Sequence, residues 1–425
     1  MGAIKLQKRA DDFFVSYGHD DVARVVPLVD LLKRVCGLRV WFDAAEGNAA
    51  RRSTELLAGA IGNARGALIC LSEAWTRSTW CRNEYEVACN EQRGQVGFEL
   101  VCVRLDDVES PGWLNTAEIV DLRNGGARAF ARLLRSLASD VPLRFDNTWD
   151  VYLSAPWSRP SELARETFKV IHDSTAWRLV GDAPNLAHMG ERRIEAIQRT
   201  TLGVVALMPH DAAQECGTSP YILQEARLAL NLELPLLLLA EPGVATPDDL
   251  RLGAFRRADF PLAAGAAGSA ALKGMLGEFA EALDRAPRND SRAYIFLATS
   301  LRGDPADSDD LATVIERASN MRCIRGERLT GDNVQQAIID RIQRAAVVIA
   351  DVSDDNRNTL IETGIAMGSG TRLKLMCREP APGTPLKKRF MFEGHELFWY
   401  RTDEERLGLA YYFARQFRRH IYVVR

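Results

Sequence analysis

The stretch Asp12-Phe-Phe-Val-Ser-Tyr17 is a short, mostly apolar run that leads into the polar turn Gly18-His-Asp-Asp21. A helical pattern follows over about residues 20–34, in which valine and leucine recur on one broad face. A buried strand, a polar turn and an amphipathic helix in this order form the repeating unit of a parallel α/β sheet. Further strands are predicted at 38–42, 66–71 and 98–104, and helices at about 52–63 and 79–92. These elements predict a flavodoxin-like sheet over the first third of the chain.

The composition bounds the class of protein. The 425 residues exceed one ordinary core and predict two or three domains, and 47% hydrophobic with 26% charged residues is typical of soluble chains. A net charge of −3 gives no electrostatic case for binding a nucleic-acid polymer. The eight cysteines form no CxxC motif and no zinc spacing, so no metal site is predicted. The start lacks a signal-peptide pattern, and the longest apolar run, 234–240, is too short to cross a bilayer. We therefore expect a cytoplasmic protein without a membrane partner.

The rest of the chain contains the same α/β sequence pattern twice. Residues 197–208 and 342–353 share a helix end, an arginine, a pair of small residues and a buried strand. Downstream, residues 223–229 match 360–366, which places Glu225 opposite Glu362, and each glutamate stands ten residues before the start of a further strand. The pattern predicts an N-terminal domain at 10–140 followed by two tandem Rossmann-like α/β units at 146–285 and 290–425.

A carboxylate stands out in the segment Ser78-Thr-Trp-Cys-Arg-Asn-Glu84-Tyr-Glu-Val-Ala88. Ser78 or Thr79 can cap a helix that starts at Trp80, and Trp80 and Glu84 then share a face. Ligands of open α/β sheets bind beyond the carboxyl ends of the strands, where the turn after Tyr17 and the loop after Phe42 are expected. The alternative interpretations are an ordinary surface charge or ion pair for Glu84, and a helix cap with solvated acids for the turn.

Four segments together resemble the TIR family in order and spacing, namely residues 14–17, 38–43, 60–72 and Trp80-Cys-Arg-Asn-Glu84. The resemblance covers about residues 10–140 and implies an NAD+-cleaving site, with NAD+ as substrate and no bound cofactor. The family's conserved glutamate falls on Glu84 and its aromatic neighbour on Trp80, while Tyr17 and Asp43 match strand-end positions. A carboxylate can stabilise the positive charge that develops on the ribose and hold its hydroxyls, and an indole can stack on a flat base.

The resemblance has one departure and leaves one alternative open. The loop after Asp43 reads Ala-Ala-Glu-Gly-Asn-Ala-Ala-Arg-Arg-Ser53 and lacks the proline–glycine turn that often mediates TIR–TIR packing. TIR domains divide into NAD+ glycohydrolases and adaptors, and adaptors commonly lack the glutamate. Glu84 therefore favours an enzyme, with a non-catalytic TIR scaffold as the alternative.

Two Rossmann-like units behind a TIR domain resemble, by architecture, bacterial antiviral (CBASS) effectors in which a SAVED domain binds a cyclic oligonucleotide. The characteristic SAVED sequence pattern is not found, so this likeness is one of layout. It implies an NAD+ hydrolase that is activated by a nucleotide second messenger, and that self-associates into multimers or filaments to join neighbouring TIR domains.

The second unit has a resemblance of its own. Ala350-Asp-Val-Ser-Asp-Asp-Asn-Arg-Asn-Thr-Leu-Ile-Glu362-Thr-Gly-Ile-Ala366 is similar to nucleoside 2-deoxyribosyltransferases, whose corresponding glutamate is the nucleophile. This implies a catalytic or nucleoside-binding role for Glu362, with Asp351 and Asp355 nearby. In the first copy Glu225 keeps its place but Leu207 replaces Asp351, which suits a scaffold or half of a binding site. The alternatives are a nucleoside-processing enzyme that uses Glu362, and a non-catalytic ligand pocket that Glu362 orients.

Overall fold

The computed structural model describes residues 11–42, 54–94, 98–114, 119–138, 150–155, 161–181, 191–253, 260–286, 294–300, 305–326, 333–353, 356–383 and 390–422. Asp43 and Asp355 lie outside these ranges, so their predicted roles stay predictions. The boundaries expected between 140 and 146 and between 285 and 290 fall wholly or largely outside them as well. Among the helices that are described, none is long and apolar enough to span a membrane.

The first sheet is parallel and has the strand order β2-β1-β3-β4-β5. Its strands are β1 (Asp11–Tyr17), β2 (Val40–Trp41), β3 (Ala64–Leu71), β4 (Glu99–Arg104) and β5 (Ile119–Asp121). The helices along this part of the chain are α1 (Val22–Arg34), α2 (Thr54–Gly62), α3 (Glu73–Arg77), α4 (Thr79–Gly94) and α5 (Ala127–Ala138). A short 3-10 turn, His19–Asp21, precedes α1. Nearly every residue of β1 and β3 is buried, as expected of strands covered by helices on both faces.

The second sheet has the order β10-β9-β8-β6-β7-β16. Its strands are β6 (Asp150–Ser154), β7 (Arg178–Gly181), β8 (Val204–Met208), β9 (Leu236–Ala240), β10 (Phe260–Pro261) and, from much later in the chain, β16 (His420–Ile421). Only β16 runs antiparallel to its neighbour, β7. The helices here are α6 (Glu162–Ser174), α7 (Glu191–Gln198), α8 (Pro220–Asn231), α9 (Asp248–Gly253) and α10 (Gly265–Arg285).

The third sheet is parallel, with the order β12-β11-β13-β14-β15. Its strands are β11 (Tyr294–Ala298), β12 (Arg322–Arg325), β13 (Val347–Asp351), β14 (Leu373–Arg378) and β15 (Leu397–Tyr400). Its helices are α11 (Pro305–Ser319), α12 (Val334–Gln343), α13 (Arg357–Gly368) and α14 (Asp403–Arg415), with a 3-10 turn at Phe390–Phe392.

All three sheets share one strand order. In each, the first strand in sequence lies between the second and the third, and the fourth and fifth follow beyond the third. This is the order of flavodoxin-like folds, and β16 is added outside it at the edge of the second sheet. The predicted fold class, a flavodoxin-like N-terminal domain followed by two further α/β units, is confirmed.

The chain divides into two compact units that do not follow the sequence in blocks. The first comprises Met1–Pro142 together with Tyr294–Arg418, and the second comprises Leu143–Ala293 together with Arg419–Arg425. The first sheet and the third sheet therefore belong to one compact unit. The second sheet, including β16, forms the other.

Helix α5 links the two sheets of the first unit. It contacts β4 and β5 on one side and the third-sheet helices α11 and α14 on the other. Because it is covered from two directions, its buried residues span an arc of about 200°, a little more than half of the helix circumference: Ala129, Phe130, Ala131, Leu133, Leu134, Leu137 and Ala138. Among its partly exposed residues, Arg135 forms an ion pair with Asp310 of α11 at 3.2 Å.

A buried ion pair adds to this contact. The Arg415 guanidinium at the end of α14 donates to the Asp12 carboxylate in β1 at 2.5 Å and to the Gly37 carbonyl at 3.2 Å. Burial alone would raise the pKa of Asp12, but the positive charges of Arg415, Arg65 and Arg39 oppose it and hold the pKa below its usual value. Gly37 has φ +63°, and a Cβ atom there would lie 2.6 Å from the Tyr412 ring, so this close approach requires glycine.

Candidate functional site

Helix α4 places Glu84 inside the first domain. The helix begins at Thr79, and the Ser78 hydroxyl accepts a hydrogen bond from the Cys81 backbone N–H at 3.2 Å, which confirms the predicted cap. Glu84 is only 8% exposed. The interpretation of Glu84 as an ordinary surface charge is therefore wrong.

A short chain of hydrogen bonds orients the Glu84 carboxylate. The Ser16 hydroxyl donates to Glu84 Oε2 at 2.5 Å, and the Trp75 indole N–H donates to the Ser16 oxygen at 2.8 Å. Ser16 and Trp75 are themselves 1% and 0% exposed. Because Ser16 is the second-last residue of β1, the carboxylate is held at the carboxyl end of that strand, where ligands of such sheets bind.

The other predicted site residues of this domain occupy different places. Trp80 is partly buried against the domain core, one helical turn before Glu84 and on the same face. Tyr17 follows Ser16 directly, so its side chain points to the opposite face of the sheet, where its ring lies 4.9 Å from that of Phe42. The structure thus places Trp80 and Glu84 one turn apart on the same face of α4, and Tyr17 at the end of β1 but on the opposite face of the sheet. Asp43, which follows Phe42, lies outside the described residues.

The polar turn after β1 is a packed element of the same edge. The Ser72 hydroxyl donates to the Asp21 carboxylate and accepts from the Trp75 backbone N–H at 2.9 Å, which caps α3. Asp21 is 5% exposed and its side chain makes no capping bond to α1, so the expectation of solvated capping acids is wrong for this residue. A Cβ atom at Gly18 would lie 2.7 Å from the Trp75 backbone nitrogen, so the close approach of this turn to α3 requires glycine.

A surface groove of about 420 Å³ lies elsewhere on the domain. Its lining residues are Arg82, Tyr85, Glu86, Cys89, Asn90, Gln92, Arg93 and Trp113. Arg82 and Glu86 project from the side of α4 opposite to Glu84, because residues two apart in a helix point about 200° away from each other, and Arg93, nine residues after Glu84, points about 180° away from it. This groove therefore does not contain the carboxylate, and the candidate site is the cluster around Glu84.

In the second sheet, Glu225 lies in a comparable setting. The Ser154 hydroxyl at the end of β6 donates to Glu225 Oε2 at 2.5 Å, and Gln198 Nε2 donates to the Glu225 backbone carbonyl at 3.0 Å. Burial raises the pKa of the Glu225 carboxyl to about 7, although hydrogen bonds from Ser154 and Tyr152 act to lower it.

This pKa leads to a test of stability against pH. The folded protein keeps a proton on Glu225 between about pH 4.5 and 7 that the unfolded chain has lost, so the free energy of unfolding falls as pH rises through this window, by up to about 3 kcal/mol. We expect Glu225→Gln to remove this fall, so that the variant gains stability relative to wild type between pH 4.5 and 8 in urea unfolding. Glu166→Gln, at an exposed position of α6, should follow wild type. Parallel curves for all three proteins would contradict the prediction.

In the third sheet, the predicted site residues Asp351 and Glu362 have different neighbours. Asp351 at the end of β13 is 5% exposed and accepts from Arg406 Nε at 2.6 Å, from the Tyr400 hydroxyl at 2.9 Å and from the Ser353 hydroxyl at 2.5 Å. Its charge is thus compensated by an arginine of α14. Glu362 on α13 instead points toward the end of β12, since a Cβ atom at Gly326 would lie 2.7 Å from its Oε1. Asp355 is outside the described residues.

Glu225 and Glu362 hold equivalent places in their own sheets, each on the helix between the third and fourth strands. The two residues belong to different compact units. Sequence reasoning missed Ser16, Trp75 and Ser154, which position the carboxylates. The sequence signal for the two serines is that each stands at the end of the first strand of its sheet, in Phe14-Val-Ser-Tyr17 and Val151-Tyr-Leu-Ser154.

The first sheet is thus a flavodoxin-like domain with a buried, oriented carboxylate at the carboxyl end of its first strand. Residues 13–134 match the family model described as TIR domain, so the N-terminal domain is a TIR domain. No curated protein matches the chain.

Three solved structures are similar to parts of the chain. The TIR domain of the Toll-related receptor TRR-2 from Hydra magnipapillata is 18% identical, with 30% of this chain and 98% of that chain covered and a TM-score of 0.27. Hypothetical protein TT0462 from Thermus thermophilus is 12% identical, with 68% and 81% covered and a TM-score of 0.19. The dinucleotide-forming acetyl-coenzyme A synthetase 1 of Ca. Korarchaeum cryptofilum is 10% identical, with 96% and 97% covered and a TM-score of 0.19.

Proposed function

We propose that this protein is an NAD+ glycohydrolase in which Glu84 acts on the nicotinamide–ribose bond. The observation that supports this most is the buried Glu84 carboxylate, held by Ser16 at the carboxyl end of β1. As the nicotinamide leaves, positive charge develops on the ribose, and a fixed carboxylate in a poorly solvated place stabilises that charge strongly. The ribose hydroxyls are the other natural partners of its oxygens, and water completes the hydrolysis.

The remaining parts of the proposal concern control. A nucleotide second messenger, with a cyclic oligonucleotide as the leading candidate, binds the α/β units outside the TIR domain. Binding promotes TIR–TIR self-association into multimers or filaments and so completes the NAD+ site, in a bacterial antiviral response. The grouping of the third sheet with the TIR domain in one compact unit supports this, because a ligand at the third sheet would act on an element packed directly against the TIR domain.

The proposal is tested by measuring NAD+ consumption by the full chain, alone and with a panel of cyclic di-, tri- and tetranucleotides. Loss of NAD+ that depends on one messenger would support both catalysis and control. NAD+ that stays intact under every condition would count against the enzyme and favour a TIR scaffold. The nucleoside-processing alternative is tested in the same samples by supplying a deoxynucleoside and a free base, with Glu362→Gln as the variant that should stop the exchange.

Ser16→Ala provides a test of how the carboxylate is positioned. The substitution leaves Glu84 in place but removes its hydroxyl donor, so we expect kcat for NAD+ to fall by about 10- to 100-fold with a smaller change in KM. Because the Trp75 indole also loses its acceptor, a stability loss of about 1–3 kcal/mol should accompany it, and melting is measured in parallel. Thr76→Ala, which removes a hydroxyl bonded to the Glu73 carbonyl near the same edge, should leave kcat unchanged. An unaltered kcat in Ser16→Ala would contradict the positioning role.

A further inference from the structure

The hydroxyl–carboxyl pair of the TIR domain occupies a defined register. Ser16 of β1 pairs across the sheet with Ile69, two residues before β3 ends at Leu71. Its hydroxyl donates to Glu84, which lies on a helix in the connection from β3 to β4. These positions can be compared directly with the second sheet, because the two sheets share their strand order.

The second sheet repeats the pair in the same register. Ser154 of β6 pairs with Ala206, two residues before β8 ends at Met208, and its hydroxyl donates to Glu225 in the connection from β8 to β9. The third sheet does not repeat it, since β11 ends with Leu297 and Ala298, and neither side chain carries a hydroxyl. A serine and a glutamate have thus been placed together twice by equivalent elements of one chain.

The pair in the second sheet lies where a ligand would enter. In this sheet β7 lies on one side of β6 and β8 lies on the other. The connection that follows β6 therefore leads toward one edge of the sheet, and the connection that follows β8 leads toward the other edge. Such a switch point opens a crevice beyond the carboxyl ends of the two strands. Ser154 is the last residue of β6 and is 1% exposed, so the pair lies buried at the carboxyl end of this strand, directly below the switch point.

The rim of the crevice is fixed by a second carboxylate. Glu241, directly after β9 and 8% exposed, accepts from the Ser161 hydroxyl that caps α6 and from the His210 backbone N–H at 2.9 Å. It therefore ties together segments that follow β6, β8 and β9. The His210 ring in turn lies against Gly217 and Gly243, where a Cβ atom would approach it to 3.2 and 3.0 Å. A rim held in this way is preorganised for binding.

The chemistry of Glu225 favours a neutral polyol. Burial brings the pKa of its carboxyl to about 7, and hydroxyl groups of Ser154 and Tyr152 are its hydrogen-bonding partners. Near neutral pH a large share of such a carboxyl is ionised, and this form accepts hydrogen bonds from both hydroxyls of a diol, which a glutamine carboxamide cannot do. A vicinal diol presents two hydroxyls at the spacing of the two carboxyl oxygens.

We infer that Ser154 and Glu225 form a second ribose-binding site, in which the Glu225 carboxyl takes the 2′- and 3′-hydroxyls of a nucleoside or nucleotide. The inference rests on the proposed function, because it assigns to Glu225 the ribose-binding role that is proposed there for Glu84. Both residues belong to the second compact unit. It is a binding site, and no bond is broken there.

The test is calorimetric titration of the full chain carrying Glu84→Gln and Glu362→Gln, so that neither other carboxylate contributes. The probes are adenosine, guanosine, cytidine and uridine, each beside its own 2′,3′-dideoxy analogue, which lacks the diol. We expect at least one ribonucleoside to bind, and its affinity to fall at least 10-fold when Glu225→Gln is added. Ser154→Ala should weaken binding less, Glu166→Gln should leave it unchanged, and the dideoxy analogue of the nucleoside that binds should bind at least 10-fold more weakly than that nucleoside.

Several results would overturn the inference: no ribonucleoside binding at millimolar concentration, affinity unchanged by both Glu225→Gln and Ser154→Ala, or equal binding of the dideoxy analogue. Melting of each variant separates lost binding from lost folding, and Ser154→Ala keeps the test open if Glu225→Gln does not fold. Because the titrated chain lacks Glu84, its result is independent of NAD+ cleavage. If diol binding requires Glu225 but the wild-type chain leaves NAD+ intact, the ribose-binding site is supported and the proposed NAD+ glycohydrolase activity is contradicted.

Discussion

Glu84→Gln is expected to lower the rate of NAD+ cleavage at least about 1,000-fold, equivalent to about 4 kcal/mol of transition-state stabilisation. Glutamine has nearly the same shape and can still bond to Ser16, so the fold should be preserved. What it lacks is the negative charge that faces the developing positive charge on the ribose. The measurement is NAD+ consumption and nicotinamide release under whichever messenger and protein concentration activates the wild-type chain.

Glu86→Gln is the matched control for this experiment. Glu86 lies two residues further along α4, is exposed and forms an ion pair with Arg82 at 3.3 Å. The same chemical change on the outer face of the same helix should leave the rate within about twofold, since exposed ion pairs contribute little. A Glu84→Gln protein that keeps more than a tenth of wild-type activity would remove Glu84 from the proposed mechanism.

The TIR segment alone, residues 1–142, is expected to lose most of its stability. Its helix α5 buries Phe130, Leu133, Leu134 and Leu137, and the face covered by α11 and α14 would be exposed in the fragment. Burial of one leucine or phenylalanine side chain contributes about 1.5–3 kcal/mol, so exposing even two removes several kcal/mol. Asp12 would also lose Arg415, which leaves a buried carboxylate without its strongest partner. Together these losses approach the whole stability of a small domain.

The comparison that checks this joins residues 1–142 to residues 294–418 through a flexible Gly/Ser linker. The joined protein should melt cooperatively and stay monomeric, whereas the 1–142 fragment should aggregate or melt at least about 15 °C lower. Equal melting of the two proteins would show that the third sheet does not stabilise the TIR domain. The outcome also governs how activity is interpreted, because an inactive fragment that has not folded says nothing about control by a ligand.

Much of the fold was predictable because each element carries a local signal. Apolar runs such as Leu236–Ala240 and one-sided helices recur in the order that parallel sheets require. The match between Glu225 and Glu362 came from the similar segments 223–229 and 360–366 and from their equal spacing to the next strand, and both residues lie at equivalent places. Glu84 could be singled out because a carboxylate interrupted an apolar stripe.

What could not be predicted depends on contacts between distant parts of the chain. Asp351 was expected near Glu362 in a catalytic or nucleoside-binding site, but Arg406, 55 residues later, pairs with it, and no local pattern marks that arginine as its partner. The broad apolar surface of α5 was not singled out, although it is the sequence signal of a helix covered on two sides. The roles of Trp80, Tyr17, Asp43 and Asp355 remain predictions.

The strand β16 has a consequence for how the protein is made. The second unit uses residues 143–293 and then residues 419–425, so its sheet gains an edge strand only after the 125 residues of the third-sheet segment have been synthesised. Arg419 joins Asp150 across 269 positions at 2.5 Å, beside the bond from Arg178 to the same carboxylate. Domains commonly fold one after another as they leave the ribosome, but here the sheet of an earlier unit is completed only by residues that follow a later one. Such long-range closure is slow, and a nascent chain interrupted before residue 419 would carry an uncovered β7 edge that chaperones and proteases can recognise.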